Sequence, residues 1–330
     1  MYYMRLFFSV TAAWAVGVAQ PGCRSAPRQP SPRVENLLSK GMKWLVEGRL
    51  VDAEAAFRLT LQYRPQSPRA LNGLGLVALA RGRLDAAARS FRRAVSVDED
   101  FAEAHNNLGV VYRKLGAYRR AIVEFRTALG IDPGYLAARR NLAECLLRRG
   151  RTAQAVTELR LLVASRPEDA WAWGALALLE ARAGHGAEAA RCAAQALHRD
   201  PKQVLAYRAL GWNAMKKRSY GQAAAFFRRA LTLAPAEWQH RHELALALAL
   251  AGRWQEALPL ARRAAAAQPA NARVVFLLAW AYAATGRVSR ALVLVERILR
   301  RQPKFEPARK LRTWCLQERR RQLLASTLGW

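Results

Sequence analysis

Few side chains in this sequence are spaced for covalent or metal chemistry. The five His (His105, His185, His198, His240 and His242) pair with neither Cys nor carboxylates at metal-ligand spacing, and His240 and His242 lie two apart, on different faces of a helix. No Gly-rich phosphate loop, nucleophile elbow or paired-carboxylate signature occurs. Neither an enzyme nor a bound cofactor or metal is therefore expected. Recognition chemistry is more plentiful. Asn72, Asn106, Asn107 and Asn141 carry amides able to pair with both the donor and the acceptor of a peptide backbone. Lys114, Arg148, Arg182 and Lys216 stand 34 residues apart in four successive steps, a cationic series suited to an acidic segment. Arg58, Arg92, Arg126, Arg160, Arg228 and Arg262 keep the same interval elsewhere in the chain.

That interval organises the whole sequence. With Val34 as position 1, a 34-residue unit recurs eight times to Phe305 with no insertion, opening at Val34, Pro68, Ala102, Leu136, Ala170, Val204, Trp238 and Ala272. Position 20 is Ala in all eight units. Position 7 is Leu in seven, with Lys40 the exception; position 15 is Gly in seven, failing at Arg218; position 32 is Pro in seven, failing at Glu99. Each choice has a mechanical reason. Apolar residues at helical spacing over positions 3 to 14, such as Leu108, Val111, Tyr112 and Leu115, predict a first helix. Gly at position 15 stops it in a left-handed turn. A second helix follows, with Ala121, Phe125 and Ala128 inward, and Pro133 ends it. The Ala at position 20 marks a crossing too close for a larger side chain. Residues 306–330 read as one further amphipathic helix, with Ala308, Leu311, Trp314 and Cys315 on one side and arginines on the other.

The period and these positions resemble the tetratricopeptide repeat (TPR) family, over 272 of 330 residues; the third unit carries Asn107, Leu108, Gly109, Tyr112, Gly116, Tyr118, Ala121, Phe125, Ala128 and Pro133. The resemblance implies an all-α fold, a right-handed α-solenoid (superhelix) of eight helix-turn-helix repeats (34–67, 68–101, 102–135, 136–169, 170–203, 204–237, 238–271 and 272–305) closed by a capping helix over 306–330. It also implies a non-catalytic protein-protein interaction scaffold. Family geometry turns positions 2, 5, 6, 9, 12 and 13 of the first helices into a concave groove. In repeats two to four these positions include Asn72, Asn106, Asn107, Arg140, Asn141 and Glu144, similar to the asparagine ladder of TPR-bearing glycosyltransferases and suited to an extended peptide. In repeats five to eight they include Trp171, Trp212, Phe276 and Trp280, suited to an apolar or amphipathic helix or to packing between neighbours. Lys114, Arg148, Arg182 and Lys216 form a rail at position 13. The Lys-x-x-x-Asn pair of chaperone-tail clamps is absent from the first concave helix.

Composition raises a second partner class. Lys and Arg number 54 against 24 Asp and Glu, a net charge of +30. Only eight are Lys and Ala is abundant, the mark of a GC-rich coding sequence, so much of the excess is compositional. Position 25 nevertheless draws the six Arg from Arg58 to Arg262 into a ridge on the second helices. An acidic polymer or anionic lipid surface is the alternative partner there, and nucleic acid is not favoured.

The first 33 residues lie outside the repeat register. Arg5 precedes the apolar stretch from Leu6 to Ala19, too short to span a bilayer comfortably, and a Pro-rich linker follows over 23–33. This is the form of an export signal over 1–22. Gly22 before Cys23 resembles the lipobox of bacterial lipoproteins, which implies acylation of Cys23 after cleavage; Gln20 and Pro21 depart from that pattern. By the same resemblance, Arg24 implies an outer-membrane lipoprotein of the cell envelope, facing the periplasm. Cleavage after Ala19 is the rival, and would leave a soluble periplasmic protein. Cys145, Cys192 and Cys315 fall near apolar stripes with no repeated spacing and are expected as buried free thiols.

Overall fold

A computed structural model describes residues 32–328, and among these every regular element is an α-helix. Eight hairpins follow in chain order: α1 (Pro32–Val46) and α2 (Leu50–Tyr63), α3 (Pro68–Ala80) and α4 (Leu84–Val97), α5 (Ala102–Lys114) and α6 (Tyr118–Ile131), α7 (Leu136–Arg148) and α8 (Thr152–Ser165). They continue with α9 (Ala170–Ala183) and α10 (Gly186–Arg199), α11 (Val204–Lys216) and α12 (Tyr220–Leu233), α13 (Trp238–Leu250) and α14 (Trp254–Ala267), α15 (Ala272–Ala284) and α16 (Val288–Arg301). A single helix, α17 (Glu306–Leu328), closes the series. Apart from α9 and α11, which also pack on each other, each helix packs chiefly on the helices next to it in the chain, the nearest-neighbour arrangement of a helical solenoid. The N-terminal 1–22 segment and Cys23 lie outside the described residues.

After α1, which opens at Pro32, the first helices of the repeats open at position 1, two residues earlier than the apolar pattern alone indicates, because the residue before them often caps. Ser67 Oγ and Asp169 Oδ1 accept from the amides of Ala70 and Ala172, and Gln203 and Asn271 cap in the same place. They close on one motif used eight times. In the third repeat the Ala117 amide donates to the Tyr112 carbonyl and the Gly116 amide to the Arg113 carbonyl. That paired closure puts position 15 in the left-handed region, φ 71° to 96° at seven glycines. Arg218 takes the same turn at φ 59°, so the motif overrides the side chain rather than breaking there.

The interior is small and close. The Ala at position 20 is buried in every repeat. Positions 8 and 24 are matched within each repeat: Gly41, Gly75, Gly109 and Gly211 face Phe57, Phe91, Phe125 and Phe227, where a Cβ would lie 2.4–2.7 Å from a ring atom. The other four repeats have Ala at position 8 and Leu159, Ala193, Ala261 or Val295 at position 24. Adding one methyl on the helix removes the ring opposite, as close packing requires.

Cys145, Cys192 and Cys315 are buried and free. Burial pushes the Cys145 thiol up to about 12, and burial with the Glu188 hydrogen bond does the same for Cys192. One expectation for α17 changes: Ala308 and Cys315 are buried, but Trp314 is 43% exposed. Among the described residues no further helix packs on α17, and Trp314, at position 9 of this ninth step, stays open.

Candidate functional site: the inner wall of the first helices

The first helices meet across each seam in a fixed register, with position 5 of one repeat against position 6 of the next. Asn107 Nδ2 donates to Asn72 Oδ1 at 3.0 Å, and Asn141 Nδ2 donates to Asn106 Oδ1 at 3.0 Å. Asn72 Nδ2 reaches Glu103 Oε1 at 3.1 Å and Asn106 Nδ2 reaches Asn107 Oδ1 at 3.5 Å. Asn72 is 3% exposed and Asn106 and Asn107 are each 2% exposed. Their amides are thus spent on one another, joining repeats two, three and four, rather than held open to a peptide. This corrects the reading of those three side chains as groups offered to a ligand. A buried amide without a partner costs about 1–3 kcal/mol, so the ladder closes on itself.

Arg140 and Glu144 are likewise engaged. Arg113 Nη1 donates to Glu144 Oε2 at 2.9 Å, while Arg140 donates to Asp169 Oδ2 at 3.2 Å and lies 4.7 Å from the ring centroid of Trp171. Position 6 of repeat five is Ala175, which offers Arg140 no polar partner, so the guanidinium turns to the capping carboxylate and the indole instead.

At the next seam the pair is Gly174 and Ala209. With nothing to hydrogen-bond and little to exclude, α9 and α11 lie in extensive contact, whereas other first helices touch their counterparts at few points. A Cβ on Gly174 would meet Gln203 Cγ at 3.0 Å and Leu205 Cβ at 3.2 Å.

The seam after it returns to polar bonding in a stronger form. Arg208 donates twice to Glu243, Nε to Oε2 at 2.8 Å and Nη2 to Oε1 at 2.6 Å, and Trp212 Nε1 donates to Oε1 at 3.0 Å. Glu243 is only 4% exposed. One arginine donating twice to a single carboxylate is the two-pronged geometry that makes Arg-carboxylate pairs strong, and the indole adds a third donor. Beside it, burial lowers the His242 imidazole below its ordinary pKa against the opposing Glu243 charge, and His242 Nδ1 has no hydrogen-bond partner. Glu180 is a third buried carboxylate. Burial pushes it up, but hydrogen bonds from His185 and Arg160 outweigh that and leave it below the usual range.

The aromatic residues mostly brace the wall. Trp212 meets Phe227 edge-on at 5.8 Å, Trp280 meets Trp254 at 4.8 Å, and Phe276 sits between Trp280 and Phe305. Trp171, Trp212, Phe276 and Trp280 are each half-buried.

The two basic series differ. On the ridge, Arg58 pairs with Glu54, Arg160 with Glu180 and Arg228 with Glu256, and Arg126 donates to Gln154. Arg92 and Arg262 complete the exposed ridge. On the rail, Lys114, Arg148 and Lys216 are exposed and have no side-chain partner among the described residues, and Arg182 only approaches Glu243 at 4.0 Å. Lys114, Arg148 and Lys216 are thus exposed inner-wall cations that the fold does not consume.

Among the described residues no group of three or more His, Cys, Asp or Glu is placed to hold a metal ion, and no helix is long and apolar enough to cross a membrane.

Two tetratricopeptide repeat models match the sequence, one at residues 45–100, 74–135 and 175–237, the other at 112–179 and 248–315. The chain belongs to the tetratricopeptide repeat family, whose repeats build protein-protein interaction scaffolds, typically non-enzymatic. No curated protein matches the sequence. Solved structures share the fold. The Cut9–Hcn1 complex of the APC/C superposes with a TM-score of 0.65 at 18% identity, over 85% of this chain and 55% of that one. The chain thus spans about half the length of that relative. Pseudomonas aeruginosa pilF gives a TM-score of 0.56 at 18% identity, over 63% of this chain and 95% of that one. A tetratricopeptide repeat protein from Parabacteroides merdae gives 0.51 at 17% identity, over 87% and 100% respectively.

Proposed function

We propose that this protein is an exported adaptor that holds an acidic, extended or helical segment of an envelope-assembly partner along the position-13 rail of its inner wall. The observation that carries this reading is the contrast in charge pairing. The amides and acids deeper in the wall are bonded to neighbouring repeats, while Lys114, Arg148 and Lys216 project free, one per repeat, with Arg182 between them. Structural cations at helix C-termini offer a plainer account of the same residues, worth about 0.3–1 kcal/mol each. The two accounts differ in that only the first makes partner capture depend on all four. YrrB, a TPR protein described as having an unusual peptide-binding site, gives a TM-score of 0.50 at 20% identity, so peptide binding has a counterpart on this fold.

Export and anchoring belong to the same proposal and rest on the apolar stretch Leu6 to Ala19 followed by Gly22 and Cys23. Cys23→Ala is expected to release the protein from membranes; unchanged association would count against acylation there.

The alternative, an acidic polymer bound on the ridge, is weakened because three of its six arginines face carboxylates of this chain and a fourth bonds Gln154. Affinity capture from a detergent extract of envelopes, at low and at physiological salt, separates the two. The adaptor reading expects a protein partner retained at the higher salt and lost when all four rail residues are changed to Glu. Recovery of polymer only, and only at low salt, would favour the ridge.

A further inference from the structure

Consecutive antiparallel helices put every first-to-second-helix turn on one edge of the solenoid and every inter-repeat turn on the other. The two edges differ in charge. The inter-repeat turns carry Asp98, Glu99, Asp100, Asp132, Glu168 and Asp200. On the opposite edge, the turns of repeats three, four and six lie within the segments 113–123, 145–157 and 209–233, none of which includes Asp or Glu. Those turns display Arg119, Arg120, Arg149, Arg151, Lys217 and Arg218, all exposed. None has a carboxylate partner among the described residues, whereas Arg49 and Arg253 in the corresponding turns of repeats one and seven pair with Asp52 and Glu256. Helix dipoles do not explain the asymmetry, because helix starts and helix ends alternate along each edge.

We propose that this turn edge docks an anionic lipid surface. Leu115, 48% exposed in the turn of repeat three, stands among the cations, and Val46 and Leu250 are exposed at the equivalent ends of α1 and α13. Basic groups interleaved with apolar side chains are what an anionic interface selects. A single-stranded nucleic acid would call for exposed rings to stack its bases, and the turn aromatics Tyr118 and Tyr220 are half-buried. The edge is also a row of turns rather than a cleft, so it provides no walls around a peptide. The rail is left for the partner, and the edge sets the solenoid against the membrane.

The test is sedimentation of the full chain carrying Cys23→Ala, which removes the proposed acyl anchor, with vesicles of phosphatidylglycerol or of phosphatidylcholine. Arg149→Gln, Arg151→Gln, Lys217→Gln and Arg218→Gln are combined in one variant, and Arg92→Gln, Arg93→Gln, Arg262→Gln and Arg263→Gln in a ridge variant of equal charge loss. The natural chain and the ridge variant are expected to prefer phosphatidylglycerol by about tenfold or more, and the edge variant to lose most of that preference. The four edge side chains make no side-chain bonds among the described residues, so thermal melting should match the natural chain; if it does not, Arg149→Gln with Arg151→Gln alone should lose part of the preference. An edge variant that keeps the preference, a ridge variant that loses it equally, or equal binding to both lipids overturns the proposal. So does an edge variant that loses affinity for single-stranded DNA while keeping it for phosphatidylglycerol.

Discussion

The seams joining repeats two to four and the seam between repeats five and six use the same two inner-wall positions in opposite ways. In the former, Asn72 with Asn107 and Asn106 with Asn141 hold the first helices through side-chain amides, and the backbones stay apart. In the latter, Gly174 and Ala209 leave nothing to bond, and α9 and α11 close onto each other. A single pair of positions therefore sets how nearly two repeats approach on the inner side, while the turns, the Ala at position 20 and the matched sizes at positions 8 and 24 keep each hairpin constant. Variation in the wall of a repeat protein can thus be structural, so a varied inner-wall residue is not by itself a ligand contact.

The comparison is broken most severely where a polar seam is most buried. Glu243→Leu strands the Arg208 guanidinium and should cost about 3–5 kcal/mol by urea unfolding, whereas Arg208→Leu combined with Glu243→Leu should recover much of it. A double variant as unstable as the single one would mean that the pair does not act as a unit. Next in size, Gly174→Leu should overpack the close seam by about 1–3 kcal/mol. The same change at exposed Gly130, where a Cβ meets nothing within 4 Å, should not destabilise.

Smaller effects sharpen the picture of the hairpin itself. Arg218→Gly removes the left-handed penalty and should stabilise by about 1 kcal/mol, with a matching rise in the urea midpoint. The pH response of His242 is smaller still. Its folded pKa lies below the unfolded value, so the unfolded chain binds the proton more readily. Its contribution is present above the unfolded pKa of about 6.5 and is lost as pH falls below it. His242→Leu should flatten that part of the stability profile, and an unchanged slope would assign it to other groups.

The hairpins were legible in the sequence because their determinants are local: Gly or its substitute at the turn, Pro after the second helix, Ala at the crossing. The wall was less legible. Within one repeat Asn72, Asn106 and Asn107 look like free groove residues, and only the stacking register brings each to its partner. The signal was present as complementary pairs 35 residues apart, Asn72 with Asn107, Asn106 with Asn141, and Arg208 with Glu243. Reading position 5 against position 6 of the following repeat would have found it. The exposure of Trp314 was hidden for a related reason, since helical spacing alone does not reveal which helix, if any, packs over that face of α17.

The central claim is that the buried ladder serves the fold and the free rail serves a partner. It is tested most directly by titrating a fluorescent peptide of alternating Glu and Leu into three forms of the chain. These are the natural one, the variant with Lys114, Arg148, Arg182 and Lys216 changed to Glu, and the variant Asn72→Leu with Asn107→Leu. The account predicts that the rail variant loses binding while the ladder variant, where still folded, keeps it. Retained binding in the rail variant together with loss in a folded ladder variant would contradict it.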